Sequence, residues 1–207
     1  MLIREVMSSP AVTVPHTATI RQAVRVLCEH GITASPVVDG DGRLVGIVSE
    51  MDLLKGAFEA DPRAFARPAT EPEIPTPHHV TQVMTEQVRT AGETGDVAEL
   101  AEMMITTGIK SVPVVRGGKL VGMVSRSDLM GMLAHSDARV RDDVQAALKS
   151  VFPGGTGWDV AVVDGDVRLS GPAGPQAERI VEVIAKTVPG VSRVIILDRP
   201  ARPEIEG

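Results

Sequence analysis

Hydrophobic and polar positions alternate along this chain in two rhythms, and the order of those rhythms repeats. A short alternating run, "VTV" at 12–14, is followed by apolar residues at helical spacing, Ile20, Ala23, Val24 and Leu27, the signature of one buried helix face. Thr19 is placed to cap that helix and Gly31 to end it. The rhythm then returns to period two in "SPVVDGDGRLVGIVS" at 35–49, two strands around a glycine-rich turn. Ser49 opens a second helical stretch. The same succession restarts further on: "VRT" at 88–90, a helix from Asp96 to Gly108 with Val97, Leu100, Ala101 and Met104 on one face, "SVPVVRGGKLVGMVS" at 111–125, and a second helix from Ser125.

The two passages are copies. "VM" at 6–7 recurs at 83–84, Gly31 at Gly108 and "PVV" at 36–38 at 113–115, all offset by 77, while beyond the hairpin turn Leu44, Gly46 and Asp52 match Leu120, Gly122 and Asp128 at an offset of 76. The lost residue falls in a turn, where length changes are tolerated. Each β-α-β-β-α copy is about 55 residues, too small to bury much surface alone, so two copies sharing a core are expected. Between them, residues 62–77 hold five of the fifteen prolines, which predicts an extended, semi-rigid surface spacer.

The last third follows a different plan. "DARVRDDVQAALKSVF" predicts an amphipathic helix with Val140, Val144, Ala147, Leu148 and Val151 on one face. "GWDVAVVDGDVRLSG" alternates as a hairpin with Asp164-Gly165 as its type I′ turn. A second helix then has Ala177, Ile180, Ile184 and Val188 facing inward, and "VSRVIIL" closes as a strand.

Composition narrows the function. Aromatics make up 2% of the 207 residues and the net charge is −6, so neither base-stacking platforms nor a phosphate-backbone footprint is available, and nucleic acid is not an expected partner. Cys28 is the single cysteine; it excludes an internal disulfide, suits a reducing compartment, and its place in a helical pattern reads as a buried small apolar residue. No stretch approaches the ~18 apolar residues of a membrane span, and the N-terminus lacks a signal-peptide pattern, so a soluble cytoplasmic location is expected. His16, His30, His78, His79 and His135 have no ligand spacing, so no metal site is expected. No Walker loop, G-x-S-x-G or H-E-x-x-H motif occurs, so no catalytic residues are expected.

The chemistry that remains is a doubled S-x-x-D, Ser49/Asp52 and Ser125/Asp128, each at the start of a helix. One reading is a capping box. The other is a ligand site, with a carboxylate bonding a ribose and the hydroxyl and free amides near a phosphate. The copies diverge around it: Glu50 follows Ser49 but Arg126 follows Ser125, and Lys110 stands at the position of Thr33. That contrast leads to the expectation that the Asp128 cleft tolerates phosphorylated ligands better than the Asp52 cleft.

The repeated "VM…G-I-x-x-x-P-V-V…G-x-(I/M)-V-S-x-x-D-L" resembles the cystathionine-β-synthase (CBS) domain, here as a tandem pair. "V-x-V-x-x-G-x-V-x-L-x-G" followed by "V-P-G-V-x-x-V" resembles the BON domain. The combined expectation is a mixed α/β (α+β) chain: CBS unit 1 at 1–60, a proline-rich linker at 61–79, CBS unit 2 at 80–134, a BON-like α-β-β-α-β domain at 136–200 and a tail at 201–207. The CBS resemblance implies a pseudo-symmetric pair, usually assembled into homodimers, with clefts for adenosine-type ligands such as AMP, ADP, ATP, NAD or S-adenosylmethionine, and no obligatory cofactor. It implies Asp52 and Asp128 as ribose ligands and Ser49 and Ser125 near phosphate, with Arg126 and Lys110 as added cations. The base would lie against Thr13, Ile32, Ser35 and Pro36 in one copy and Thr90, Ile109, Ser111, Val112 and Pro113 in the other. The BON resemblance implies a link to envelope proteins and phospholipid. Residues 136–207 carry nine Lys/Arg against eleven Asp/Glu, so no polybasic face favours anionic lipid, and docking or oligomerisation is the preferred role. The combined reading is a non-enzymatic sensor that acts on an unidentified regulated protein; the alternative is a ligand-free structural or membrane-associated adaptor.

Overall fold

The computed structural model describes residues 1–55, 57, 77–152, 157–172 and 174–198. The described part of the linker therefore begins at Pro77, and the tail at 201–207 lies outside the described residues. The chain divides into two compact units: one of Leu2–Gly95 with Glu99–Ser125, the other from Arg126 onward together with Met1 and Asp96–Ala98.

In the first unit, β1 (Val14–Pro15), α1 (Ile20–His30), β2 (Ala34–Val38), β3 (Leu44–Ser49) and α2 (Glu50–Leu53) form copy one. β4 (Ala91–Gly92), α3 (Val97–Thr107, in this unit from Glu99), β5 (Ser111–Arg116) and β6 (Lys119–Ser125) repeat the plan. Each copy has a three-stranded sheet, ordered β1-β2-β3 and β4-β5-β6. The first pair of each is parallel and the second is an antiparallel hairpin. The register slips at Val37/Val38 in one hairpin and at Val114/Val115 in the other, which are equivalent positions. The turns account for the change of offset. Copy one closes on Asp39, whose carboxylate accepts the amides of Asp41 and Arg43 at 2.9 and 2.8 Å. Copy two needs only Gly117 and Gly118, both at positive φ, the two-residue turn that matches strand twist.

Local chemistry sets the helix ends. Thr19 accepts the Gln22 amide while the Gln22 side chain accepts the Thr19 amide at 2.8 Å, a reciprocal cap. Gly31 closes α1 at φ 62°, a left-handed turn that costs glycine little. Ala23 and Leu27 are buried, but Val24 is 38% exposed and Cys28 is exposed. Cys28 is thus a surface residue rather than a core one: the buried stripe runs through Ala23 and Leu27, with Ile20 and Val26 packed against it. On α3, Leu100 and Met104 are buried as expected. The first strands lie later than "VTV" and "VRT" suggest. Pairing to β2 begins at Val14, and the Val12 carbonyl instead accepts the Ser35 hydroxyl at 2.8 Å.

The copies interlock by exchanging their leading segments. Ser8 and Met123 trade backbone hydrogen bonds at 2.9 and 3.0 Å, and Thr85 and Ile47 trade two at 2.9 Å. The "VM" methionine of each copy therefore lies on the glycine of the other. A Cβ built on Gly46 would sit 2.6 Å from the Met84 sulfur, and one on Gly122 would sit 2.7 Å from the Met7 sulfur and 2.8 Å from the Ser8 carbonyl oxygen. Val80 is buried among Val14, Val37 and Val48 of copy one. The backbone of His78 and His79 ties this segment down: both amides donate to the Gln82 side chain, and the His78 carbonyl accepts the Ile20 amide.

The second unit contains α4 (Arg126–Leu133), α5 (Asp137–Val151), β7 (Asp159–Val163), β8 (Asp166–Gly171), α6 (Pro175–Lys186) and β9 (Arg193–Asp198). β7 and β8 form a hairpin and β9 joins β8 in parallel after α6. Asp164 and Gly165 have φ of 51° and 76°, the type I′ turn the sequence predicts. The Asp137 carboxylate accepts both their amides, at 2.9 and 3.0 Å, tying the first turn of α5 to the hairpin. The core is Val140, Val144, Leu148, Val167, Leu169, Val181, Ala185 and Val188. Of the residues expected to face inward, Ala147 and Ile184 are partly buried against this core, whereas Val151 and Ile180 are 52% and 40% exposed. Phe152, where the chain leaves α5, packs in place of Val151. On α6 the buried stripe runs through Val181 and Ala185, with Val188 just beyond the helix end, which puts Ile180 about 100° off its middle. No helix among the described residues is long and apolar enough to cross a membrane.

Candidate functional site

Ser49 is the last residue of β3 and the N-cap of α2, so the S-x-x-D of copy one begins where a sheet edge meets a helical turn. The Ser49 amide and hydroxyl donate to Asp52 Oδ2 at 3.0 and 2.7 Å, and the Asp52 amide donates back to Ser49 Oγ at 3.4 Å. Lys55 Nζ donates to the other carboxylate oxygen at 2.7 Å. Burial pushes the Asp52 carboxyl up, but the Lys55 ammonium and the Ser49 hydroxyl and amide outweigh it and hold the carboxyl below the ordinary value. The aspartate is therefore ionised and oriented, with its side chain 15% exposed. The capping reading is correct in copy one, and it leaves a charged acceptor fixed in place at the rim of a cleft.

That cleft encloses about 340 Å³, within the range of small-ligand sites. Its walls come from both copies. Copy one supplies Thr33, Ala34, Ile47 and the Ser49–Asp52 turn; copy two supplies Thr85, Gln87, Val88 and Arg89 together with Gly108–Ser111. The strand bridge between Thr85 and Ile47 explains why: the segment after the second "VM" is laid along β3 of copy one.

Of the residues expected at a ligand, Ser49, Asp52, Ile109, Lys110 and Ser111 line this one cleft. Lys110 therefore stands along the cleft of Asp52, whereas the sequence comparison had grouped it with Asp128. Thr13, Ile32, Ser35, Pro36, Thr90, Val112 and Pro113 do not line it. Ser35, Pro36, Val112 and Pro113 are buried strand residues, Thr90 is exposed, and the Ile32 amide closes α1 on the Leu27 carbonyl at 3.0 Å. Ser125 ends β6 opposite Ser111. Arg126 and Asp128 lie in the first turn of α4, in the second compact unit.

Sequence reasoning missed Arg89 and the Thr85–Val88 wall. A signal was present: at the repeat offset Arg89 replaces Val12 as Lys110 replaces Thr33, so two uncharged positions of copy one are cationic in copy two.

Comparison with known proteins agrees with the repeat. The CBS domain family matches residues 3–59 and 80–135, and the BON domain family matches 136–196. A CBS domain-containing protein of Dictyostelium discoideum is 32% identical over 117 residues, 56% of this chain and 78% of that one. The L-aspartate semialdehyde sulfurtransferase of Methanocaldococcus jannaschii is 29% identical over 114 residues, 55% of this chain but only 19% of that enzyme. Among solved structures, the CBS domain pair of protein MJ0100, in complex with 5′-methylthioadenosine and S-adenosyl-L-methionine, is 28% identical with a TM-score of 0.53. It is matched over its whole length by 65% of this chain. The interlocked repeat, its doubled S-x-x-D and the C-terminal α-β-β-α-β fold thus place the chain in the CBS-domain family, as a tandem CBS pair followed by a BON domain.

Proposed function

We propose that this chain is a non-catalytic, cytoplasmic regulatory module whose CBS pair binds an adenosine-type ligand (AMP, ADP, ATP, NAD or S-adenosylmethionine) and whose BON domain passes the bound state to a partner protein. The observation that carries this reading is the cleft of about 340 Å³ in which a pinned, ionised Asp52 faces walls from the other copy. A carboxylate acceptor suits the paired hydroxyls of a ribose, and the neighbouring apolar Ile47, Val88 and Ile109 suit the flat face of a base. The 28%-identical relative held with two adenosyl compounds supports the ligand class.

A ligand that touches both copies favours the arrangement in which they close on it, through its differential affinity for that arrangement. Only Ala134–Ser136 separate α4 from α5, so a shift of α4 is passed directly to the BON domain. Assembly into homodimers belongs to the same proposal. The exposed Met51, Leu54 and Ile105, at 67%, 51% and 81%, supply apolar surface for a second copy, and sedimentation velocity reads that state. The ligand is tested by the thermal midpoint of the full chain with each of the five compounds. A ligand selective for the folded state raises the midpoint in proportion to its saturation; no rise with any of them overturns the reading.

A further inference from the structure

We infer that the Asp52 cleft selects a phosphate-bearing adenosine ligand such as AMP over S-adenosylmethionine, through two cations that the second copy contributes, Arg89 and Lys110. The inference rests on the adenosine reading of that cleft and adds its charge preference. Among the described residues, four charged ones line the cleft: Glu50, Asp52, Arg89 and Lys110. Asp52 is already matched by Lys55 at 2.7 Å, which leaves Glu50 against two cations. Neither Arg89 nor Lys110 has a carboxylate within ion-pair distance among the described residues.

The backbone offers little alternative for holding an anion. α2 is a single turn of four residues, too short for an appreciable helix dipole, and the Glu50 amide is already bonded to the Thr33 carbonyl at 3.0 Å. Phosphate recognition at this cleft therefore falls to side chains. A ribose held at Asp52 in copy one would carry its phosphate toward the cations that copy two brings to the cleft, so an anionic ligand ties the copies together. A neutral adenosine lacks that tie, and the sulfonium of S-adenosylmethionine is repelled by the same pair. At the repeat offset the counterparts of Arg89 and Lys110 are Val12 and Thr33, so the preference belongs to the Asp52 side, opposite to the expectation drawn from Arg126 and Lys110 in sequence.

The test is calorimetric titration of the full chain with adenosine, AMP and S-adenosylmethionine, in the wild type and in Arg89→Gln/Lys110→Gln. Charge-assisted bonds to a phosphate predict AMP binding about tenfold or more tighter than either other ligand. The double variant is expected to cut the AMP-to-adenosine affinity ratio by at least that factor, and added salt to erode the ratio in the wild type only. A ratio unchanged by the double variant, or a wild type that prefers S-adenosylmethionine, overturns the charge preference and leaves the adenosine reading standing. Failure of all three compounds to bind overturns this inference, and the adenosine reading falls with it where ADP, ATP and NAD also leave the thermal midpoint unmoved.

Discussion

The two CBS copies keep the same strands, the same register slip and the same S-x-x-D, yet they differ at every charged position around that motif. Copy one has Glu50 where copy two has Arg126, Lys55 where copy two has Gly131, and Val12 and Thr33 where copy two has Arg89 and Lys110. Because the leading segments are exchanged, Arg89 of copy two lines the same cleft as Asp52 of copy one, and Lys110 of copy two lines it as well. A repeat that builds a cleft from both copies is free to keep its core symmetric while the charges that line the cleft diverge. The sheets are constrained by packing; the cleft walls are not.

The largest expected effect is on the exchange itself. Gly122→Ala brings a Cβ to 2.8 Å from the Ser8 carbonyl oxygen, a backbone atom, as well as against Met7. Overpacking of this kind costs about 1–3 kcal/mol, measured by urea unfolding. Gly46→Ala meets chiefly the Met84 sulfur at 2.6 Å, with the nearest backbone atom at 3.2 Å; a thioether swings aside more easily, so its cost is expected to be the smaller of the two. Equal costs would mean that the two exchanged segments are held alike.

Asp52→Ala removes the cap and its ion pair together, for about 1–2 kcal/mol. The pH dependence has a definite sign, because the folded carboxyl titrates below its ordinary value of 3.8. Its stabilisation is fully present above that value and is lost as pH falls through the lower folded pKa. The gap between wild type and Asp52→Ala in unfolding free energy should thus be constant at neutral pH and close in acid. Lys55→Ala is expected to cost less, about 0.5 kcal/mol, and to raise the folded Asp52 pKa so that the closing is complete at higher pH; a carbon-detected NMR titration of the Asp52 carboxyl reads that directly. The smallest effect is Glu50→Gln, which removes the remaining negative charge of the cleft wall and is expected to tighten AMP about two- to fivefold.

Much of the fold was legible because it depends on local chemistry. The caps at Thr19 and Ser49, the left-handed Gly31 and the Asp164-Gly165 turn each follow from a few adjacent residues. Periodicity found the helices but not their rotation: Ile180 and Val181 are both β-branched, and only packing against Val167 and Leu169 decides which is buried. Cys28 shows the same limit, since its helical setting says nothing about which side of α1 it occupies. The cleft was half legible. Ser49 and Asp52 are adjacent in sequence and announce themselves, whereas Arg89 joins them only through the pairing of Thr85 with Ile47, a long-range contact that no local pattern encodes. The divergence between Val12 and Arg89 was visible in the repeat, but its meaning depended on that exchange.

The central claim is that Asp52 holds the sugar of an adenosine-type ligand, and calorimetric titration of adenosine into the wild type, Asp52→Ala and Asp52→Asn tests it most directly. Loss of a charged hydrogen bond to the ribose is expected to weaken binding by about tenfold to a hundredfold in both variants, with Asp52→Asn folded as the wild type by circular dichroism. Adenosine affinity equal in all three proteins would contradict the account.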